Sequence, residues 1–454
     1  MSKPVKKGDI TEIEIFDLNF RGQGVGKIDN YVIFVNNTLP KDKVKIKILK
    51  AISKYGVGEV VEYLERSEKF EDPKCPYFYE CGGCQIMNMK YEEQLKYKRD
   101  TLINELTRNN LEDIKNIKIK GTFGMEKPYR YRNKGAFPIT IENGKLLIGP
   151  YEKGSHNIVN IDDCLIQNQW TEEIIYILRD FIIKNNISIY NERTHKGSLR
   201  HILMRNNQVG DLMLVIVSRN NIKNKLNKLT NEIVEKIPNI KSIFLNINDE
   251  KTNRILGRKN ILLHGEEYIK EDIFNLKFKV FPHTFFQVNH TQTDKLYNKA
   301  LDYADIQDTD IIYDLYCGVG TISLLAAQKA KEVHGIEIVE ESIKSAEENK
   351  KENNIENVEF HLGSVEDLFP KLYEKGIKAD VVILDPPRKG CEESVLKNIK
   401  EMSSGKIVYI SCNPSTLARD LKILQEGGYN IQEIQPVDMF PHSTHVEAVA
   451  LLTK

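Results

Sequence analysis

The chain lacks an excess of charge of either sign, a long apolar run and enough cysteine for a disulfide scaffold, and each shortage excludes a class. Lys and Arg number 65, as do Asp and Glu, so no global field marks the protein for nucleic acid, and any such case rests on local patches. No stretch approaches the ~20 apolar residues of a membrane-spanning helix. The start, Met1-Ser2-Lys3-Pro4-Val5-Lys6-Lys7, is polar and unlike a signal peptide. The expectation is a soluble, cytoplasmic protein with no membrane partner. Seven cysteines in 454 residues, without an export signal, argue against a disulfide framework. A chain of this length holds two or three domains, each able to bury a core.

What is present changes texture along the chain. Residues 8 to 65 read as short strands between turns: Asp9 to Phe16, Tyr31 to Val35, Lys43 to Ile48 and Val57 to Tyr63. Arg21-Gly22-Gln23-Gly24-Val25-Gly26 forms a flexible glycine loop after the first. So few strands in about sixty residues predict a small barrel of the OB type. From Lys41 to Lys54 there are six lysines and one acid, with Val44, Ile46 and Ile48 alternating among them. That is a strand with one core face and one basic face, which serves RNA or merely solvates an edge.

Tyr91 to Asn109 reads as a polar amphipathic helix. From Lys115 to Lys134 seven basic residues face one acid. Within that run Tyr129-Arg130-Tyr131-Arg132-Asn133-Lys134 interleaves rings with cations. Rings stack on bases and cations hold phosphates, so this is a footprint for single-stranded RNA, with a solvated charged loop as its competitor. Two hairpins follow, Ala136 to Asn160 turning at Asn143-Gly144 and Leu199 to Ser218 turning at Asn206 to Asp211. Trp170 to Asn185 is helical between them, so the middle of the chain is antiparallel sheet with helical cover. After Phe281 strand and helix alternate. The strands are Ile311 to Tyr316, Val333 to Ile338, Val358 to Gly363, Val381 to Asp385 and Lys406 to Ile410. Helices include Thr321 to Lys331 and Ser342 to Asn353. Right-handed crossovers then give an α/β doubly wound parallel sheet, followed by a hairpin of Ile431 to Asp438 with Val446 to Leu452.

The cysteines cluster. Cys75, Cys81 and Cys84 share one short segment, in which a Gly-Gly turn separates the last two. Cys164 is available as a fourth. Four thiolates bind zinc or an iron–sulfur cluster, and unliganded buried cysteines are the alternative. The spacing is less typical of a zinc ribbon, which shows two close pairs, and lacks the pattern of a radical-generating cluster.

Cys412 stands apart from these, in Ile410-Ser411-Cys412-Asn413-Pro414-Ser415-Thr416. Lys406 to Ile410 is a buried strand. Asn413 suits a helix N-cap and Pro414 the first helical position, so Cys412 sits where strand turns into helix. Ligands of an open α/β sheet bind at that edge, and a helix's positive end lowers a thiol's pKa. Asp314 to Thr321 is likewise strand, glycine turn and helix start. Glu337 ends the next strand, at the distance where an acid takes ribose hydroxyls. No further glycine supports a pyrophosphate, so a nucleoside without phosphates fits, and S-adenosylmethionine is one. Tyr316 is placed to pack on that cofactor, and Ser364 or Glu366 lies where its adenine belongs. Asp385-Pro386-Pro387-Arg388 closes the fourth strand, with Arg388 where amino-nitrogen methyltransferases carry an aromatic. Carbon 5 of a pyrimidine is too weak a nucleophile to take a methyl group unaided. A thiolate adding at carbon 6 activates it, and a base then removes the carbon 5 proton so that the thiolate leaves. Phe440 to Glu447 offers that base: Glu447, with His442 and His445 as competitors.

With these residues in place the chain resembles the RNA uracil-5-methyltransferase family that modifies ribosomal RNA, along essentially its whole length. The resemblance rests on Cys75/Cys81/Cys84/Cys164, Phe285-Phe286-Gln287-Val288-Asn289, Asp314 to Gly320, Asp385 to Arg388, Ser411 to Pro414 and His445-Val446-Glu447. Arg21 to Gly26 with Val57-Gly58-Glu59-Val60 resembles the TRAM domain, a small RNA-binding barrel. The resemblance implies a [4Fe-4S] cluster on Cys75, Cys81, Cys84 and Cys164, Cys412 as nucleophile and Glu447 as base. It further implies S-adenosylmethionine contacts from Gln287, Tyr316, Glu337 and Asp385, and Phe285 and Arg388 holding a flipped uracil. Thr321 departs from the family, where related enzymes carry Asn. Three domains are expected: a TRAM-like barrel (1–66), a central antiparallel α+β domain with the iron–sulfur site (67–90 and 123–280), and a Rossmann-like methyltransferase domain (91–122 and 281–454). The expected substrate is a uridine of 23S ribosomal RNA, with the transfer RNA T-loop as alternative and a monomer needing no protein partner. A non-catalytic RNA-binding or assembly protein is the rival from another class, and it would need neither Cys412, Glu447 nor the glycine turn.

Overall fold

The computed structural model describes residues 4–112, 114–402 and 404–454; Met1–Lys3 of the polar start, Asp113 and Ser403 lie outside the described residues. The chain divides into two units. One comprises Met1–Lys98, Tyr151–Val159 and Phe440–His445, the other Arg99–Pro150, Asn160–Met439 and Val446–Lys454.

In the first unit, alternation of apolar and polar residues builds a six-stranded sheet from Ile10–Glu14, Asp17–Leu18, Gly24–Ile28, Tyr31–Val35, Lys43–Ala51 and Tyr55–Glu65. The first two strands are one stretch interrupted at Ile15 and Phe16. Its first half pairs with Lys43–Ala51 and its second with Gly24–Ile28, which joins the two ends of the sheet into a barrel. Ile13, Ile33, Val35, Val44, Ile46 and Ile48 fill the inside. The glycines have a different purpose from the flexibility expected of them. A Cβ on Gly24 would lie 2.0 Å from the Thr38 hydroxyl and one on Gly26 2.4 Å from Ile13, so both are strand residues kept small by close packing. The basic face also reads differently in place. Lys43, Lys45 and Lys47 sit opposite Glu65, Glu62 and Glu59 on one side, and Lys43 and Lys45 opposite Glu14 and Glu12 on the other. Cross-strand acids neutralise this face, as in a solvated strand.

The second unit holds two large sheets. The central one has the order Lys259–Gly265, Ile240–Ile247, Leu212–Ser218, Leu199–Asn206, Lys134–Glu142, Lys145–Ile148. It is antiparallel except where Leu212–Ser218 runs parallel to Ile240–Ile247, because helix Lys223–Lys236 carries the chain back between them. Helix Thr171–Lys184 buries its apolar side. The other sheet runs Val358–Leu362, Glu332–Glu337, Ile311–Leu315, Val381–Leu384, Lys406–Ser411, Glu447–Thr453, Asn430–Val437, Lys118–Ile119. The first five strands are parallel, as expected. The terminal hairpin folds back antiparallel, so that Glu447–Thr453 lies beside Lys406–Ser411. Leu102 and Leu106 of helix Tyr91–Arg108 are buried in this sheet's core with Tyr313, Leu384 and Tyr409. Strand order reverses between Ile311–Leu315 and Val381–Leu384. The crevice of a doubly wound sheet opens there, beyond the carboxyl ends of the strands.

Candidate active site

Two loops meet at that reversal point. After Leu315 the backbone turns sharply: Tyr316 takes φ +70°, Gly318 +56° and Gly320 +80°. Gly320 is needed for space as well as φ, since a Cβ there would stand 2.6 Å from the Phe360 ring. At Gly318 a Cβ would meet nothing within 4 Å, so the turn faces open space. Glu337 braces it from the next strand, accepting from the amides of Gly318 (3.2 Å) and Val339 (2.8 Å). Ile338, 67% exposed, and Leu362 put apolar surface beside this acid. The sequence offered a signal for both, an unexplained apolar residue just past one strand end (Ile338) and at another (Leu362). Ser364 is occupied as a helix cap, bonded to Asp367 in both directions. The hydroxyl of Tyr316 bonds Cys391, in a buried group with Tyr409 and Asp420.

The second loop brings Asp385 and Arg388, and the neighbouring strands bring Cys412 and Glu447. Asn413 caps the following helix through Ser415 (3.1 Å) and reaches the Arg388 carbonyl with its Nδ2 (3.0 Å). The expected strand–cap–helix context of Cys412 is therefore present. Glu447, only 4% exposed, opens the adjacent strand. Asp385 acts electrostatically on both Cys412 and Glu447, Glu447 acts on Cys412, and Arg388 opposes these effects on the thiol and on Glu447. Burial is the main cause that raises all three; Asp314 adds to Asp385, Asp385 adds to Glu447, and Glu447 and Asp385 together add to Cys412. Glu447 goes up to about 8, Asp385 to about 7 and the Cys412 thiol to about 11. This corrects the expectation for Cys412: burial and two carboxylates outweigh the helix's positive end. Deeper still, Asp314 is fully buried and pushed up to about 6 by that burial, despite a 2.6 Å hydrogen bond from Ser323.

Two consequences are measurable. The thiol of the free protein should alkylate with a midpoint near about 11, and Glu447→Gln should lower that midpoint by removing a neighbouring negative charge; an unchanged alkylation profile would separate the two groups. Stability has the sign of raised acids. Each buried carboxyl, Asp314, Asp385 and Glu447, binds its proton more tightly folded than unfolded, so its contribution is full below the ordinary carboxylate value of ~4 and is lost as pH rises through the folded value. Thermal melts of the free protein should fall from mildly acidic pH to pH about 8, at up to about 1.4 kcal/mol per pH unit per proton. Glu447→Gln should flatten the upper part of that slope.

Gln287 and Phe285 come from the segment before helix His290–Ala304. Phe285 is 68% exposed. The Gln287 carbonyl accepts from Asn133 Nδ2 (2.8 Å), and its side chain bonds Tyr297, a buried ring that feels Asp385 and Glu447. Tyr297 was missed because a tyrosine at helical spacing reads as ordinary core. Thr321 is buried at its helix start. His442, in the first unit, is buried at φ +67°; its ring meets Gln94 (3.2 Å) and its carbonyl accepts from Gln85 and Ile86. His445, also in that unit, is exposed, with its ring 5.9 Å from Phe440.

The expected RNA footprint is reorganised. Tyr131 is buried, Arg130 pairs with Asp163 (2.5 Å) and bonds the Cys164 carbonyl, and Lys134 is half-buried. Alternation at a strand entrance puts the Tyr131 ring inside, where it cannot stack on a base. In the first unit Cys81 and Cys84 act on Lys153, which lies over the Phe78 ring, and Cys75 acts on Cys81. Cys164 belongs to the second unit.

A glycine turn with a bracing acid at the switch point of an open α/β sheet, beside a thiol and a carboxylate, defines a methyltransferase. The chain belongs to the tRNA (uracil-5-)-methyltransferase family, matched over residues 90–454, with a TRAM domain over residues 4–61. It is thus an S-adenosylmethionine-dependent RNA uracil-5-methyltransferase. It is 45% identical over 451 residues to an uncharacterized RNA methyltransferase of Clostridium tetani, covering 99% of this chain and 97% of that one. It is 42% identical over 455 residues to another from Bacillus cereus, covering 100% and 98%. Among solved structures, it is similar to the Pyrococcus abyssi tRNA (uracil-54, C5)-methyltransferase in complex with S-adenosyl-L-homocysteine. That likeness has a TM-score of 0.77 at 27% identity, covering 98% of this chain and 100% of that one. Among the described residues no helix is long and apolar enough to cross a membrane.

Proposed function

We propose that the chain methylates carbon 5 of a uridine in 23S ribosomal RNA through a covalent adduct on Cys412. The observation that carries the chemistry is the meeting of Cys412, Glu447, Asp385 and Arg388 at the mouth of the sheet. S-adenosylmethionine supplies an electrophilic methyl group on a sulfonium. Glu337 takes the ribose hydroxyls, the open face at Gly318 admits the nucleoside, and Ile338 and Leu362 line the adenine. Gln287, Tyr316 and Asp385 complete the cofactor's contacts. Phe285 and Arg388 hold the flipped uracil. Cys412 adds at carbon 6, carbon 5 takes the methyl group, and Glu447 removes the carbon 5 proton so that Cys412 leaves. A buried acid near neutrality suits that last role, because it takes a proton without being a strong base in water.

The TRAM domain and the cysteine set support ribosomal RNA as the target. A second reading, the T-loop of transfer RNA, is favoured by the likeness to the Pyrococcus abyssi enzyme. Mapping 5-methyluridine in both RNAs, with and without the gene, decides. Loss of a methyl group from 23S ribosomal RNA alone is expected, and loss confined to transfer RNA would overturn that assignment. The remaining roles follow the same family logic. Cys75, Cys81, Cys84 and Cys164 are the four thiolates a [4Fe-4S] cluster takes. The chain works as a barrel (1–66), a cluster-bearing RNA-binding domain (67–90 and 123–280) and a methyltransferase domain (91–122 and 281–454).

A further inference from the structure

Lys134 and Arg205 are direct register partners across the antiparallel strands Lys134–Glu142 and Leu199–Asn206. Like charges opposite one another on a sheet repel, and burial sharpens the repulsion here. Arg205 is 3% exposed and Lys134 half-buried. One Nη2 proton of Arg205 goes to the Thr284 carbonyl, while its buried Nε has no partner. Burial, with the charges of Arg205 and Arg132, pulls Lys134 down to about 8, and burial takes Arg205 down to about 10. Among the described residues no carboxylate offsets either group; Glu341 acts instead on His283, which is exposed and feels both cations. Uncompensated buried cations cost folding stability. An anion from outside would relieve the cost.

The surroundings say which anion. Asn133, next to Lys134, donates through its amide to the Val288 carbonyl (2.9 Å) and through Nδ2 to that of Gln287 (2.8 Å). The strand is thereby stitched to the segment that presents Phe285. Thr284, held by Arg205, adjoins that exposed ring. We propose that Lys134, with the buried charge of Arg205 behind it, forms a subsite for one phosphodiester of the RNA strand, beside the nucleotide that Phe285 receives. This rests on the RNA-methyltransferase reading and adds which residues position the strand.

Lys134→Met keeps the stem and removes the charge. The free variant should melt at or above the wild-type temperature, because a repulsion is gone. It should bind RNA about tenfold more weakly, with a salt slope shallower by about 0.7, one phosphate contact on a single strand. Lys134→Arg should restore binding. The probe is the mapped target RNA shortened to the single-stranded segment around its uridine, with a neutral methylphosphonate stepped through the flanking positions. At one position it should weaken the wild-type protein about tenfold and Lys134→Met no further. A Lys134→Met protein that melts lower and binds RNA with wild-type affinity and slope makes this a structural lysine and overturns the subsite. Weakened binding that stays additive with every methylphosphonate also overturns it. Failure of the methyltransferase reading would appear separately, as RNA without a methyl group at any uridine.

Discussion

Glu447→Gln protein incubated with target RNA and S-adenosylmethionine should leave a protein–RNA band that survives denaturation, and Cys412→Ala should leave neither band nor product. The target uridine must leave its stack to reach Cys412, at a cost of a few kcal/mol that contacts in the pocket offset. Once Cys412 has added and carbon 5 carries the methyl group, the RNA is tethered through carbon 6. Only loss of the carbon 5 proton frees it. Gln at 447 keeps the shape and removes the base, so the reaction halts after one methyl transfer. The raised acidity range of Glu447, about 8, adds a pH signature. Release in the wild type should quicken as pH rises toward that value, and the residual release of Glu447→Gln should not follow it. Normal turnover by Glu447→Gln would move the base elsewhere. Methylation by Cys412→Ala would remove the covalent route altogether.

How much of this site was legible depended on how local its causes were. The strand, cap and first helical turn around Cys412 are set by neighbouring residues, and they stand as expected from Asn413 and Pro414. The thiol's acidity is a tertiary property. Glu447 and Asp385 reach it from other strands, so a rule based on one helix end points the wrong way. The parallel sheet followed from alternating apolar runs, whereas the single parallel step in the central sheet depends on a crossover helix that periodicity alone does not place. The two basic stretches are differently arranged in place for a related reason. Composition counts cations but not what lies across the sheet, where Glu59, Glu62 and Glu65 oppose the lysines of the barrel and Asp163 holds Arg130. Conversely Lys134 and Arg205, far apart in sequence, are joined only by strand register. Gly24 and Gly26 carried a true signal with the wrong cause, close packing instead of flexibility.

The cysteine segment should bind iron, about four atoms per chain in protein purified without oxygen, and Cys81→Ser should lose that iron and loosen residues 66–90. The argument starts from how little else holds this segment. Between strand Tyr55–Glu65 and helix Tyr91–Arg108 there is no helix or strand, only the isolated bridges Phe70 to Met89 and Cys81 to Glu152. Its buried apolar side chains are few, Phe78, Ile86, Met87 and Met89. Ordering each residue costs about 1–2 kcal/mol of backbone entropy, which so small a core leaves largely unopposed. Around Cys81 the loop is fixed locally: the Gly83 amide donates to Cys81 Sγ (3.3 Å), Gly82 bonds the Tyr151 carbonyl (2.9 Å), and Cys75 acts on Cys81. Lys153 stands beside Cys81 and Cys84 as a positive charge for an anionic thiolate group. Metal binding to such a set is folding free energy for the segment. The wild-type protein should therefore be brown and resist proteolysis between Arg66 and Lys90. Cys81→Ser should be colourless and cleaved there, with the barrel core of Ile33, Val44 and Ile46 still protected. A colourless wild type with one zinc per chain, or a Cys81→Ser protein that keeps its iron, would refute the cluster on these thiols.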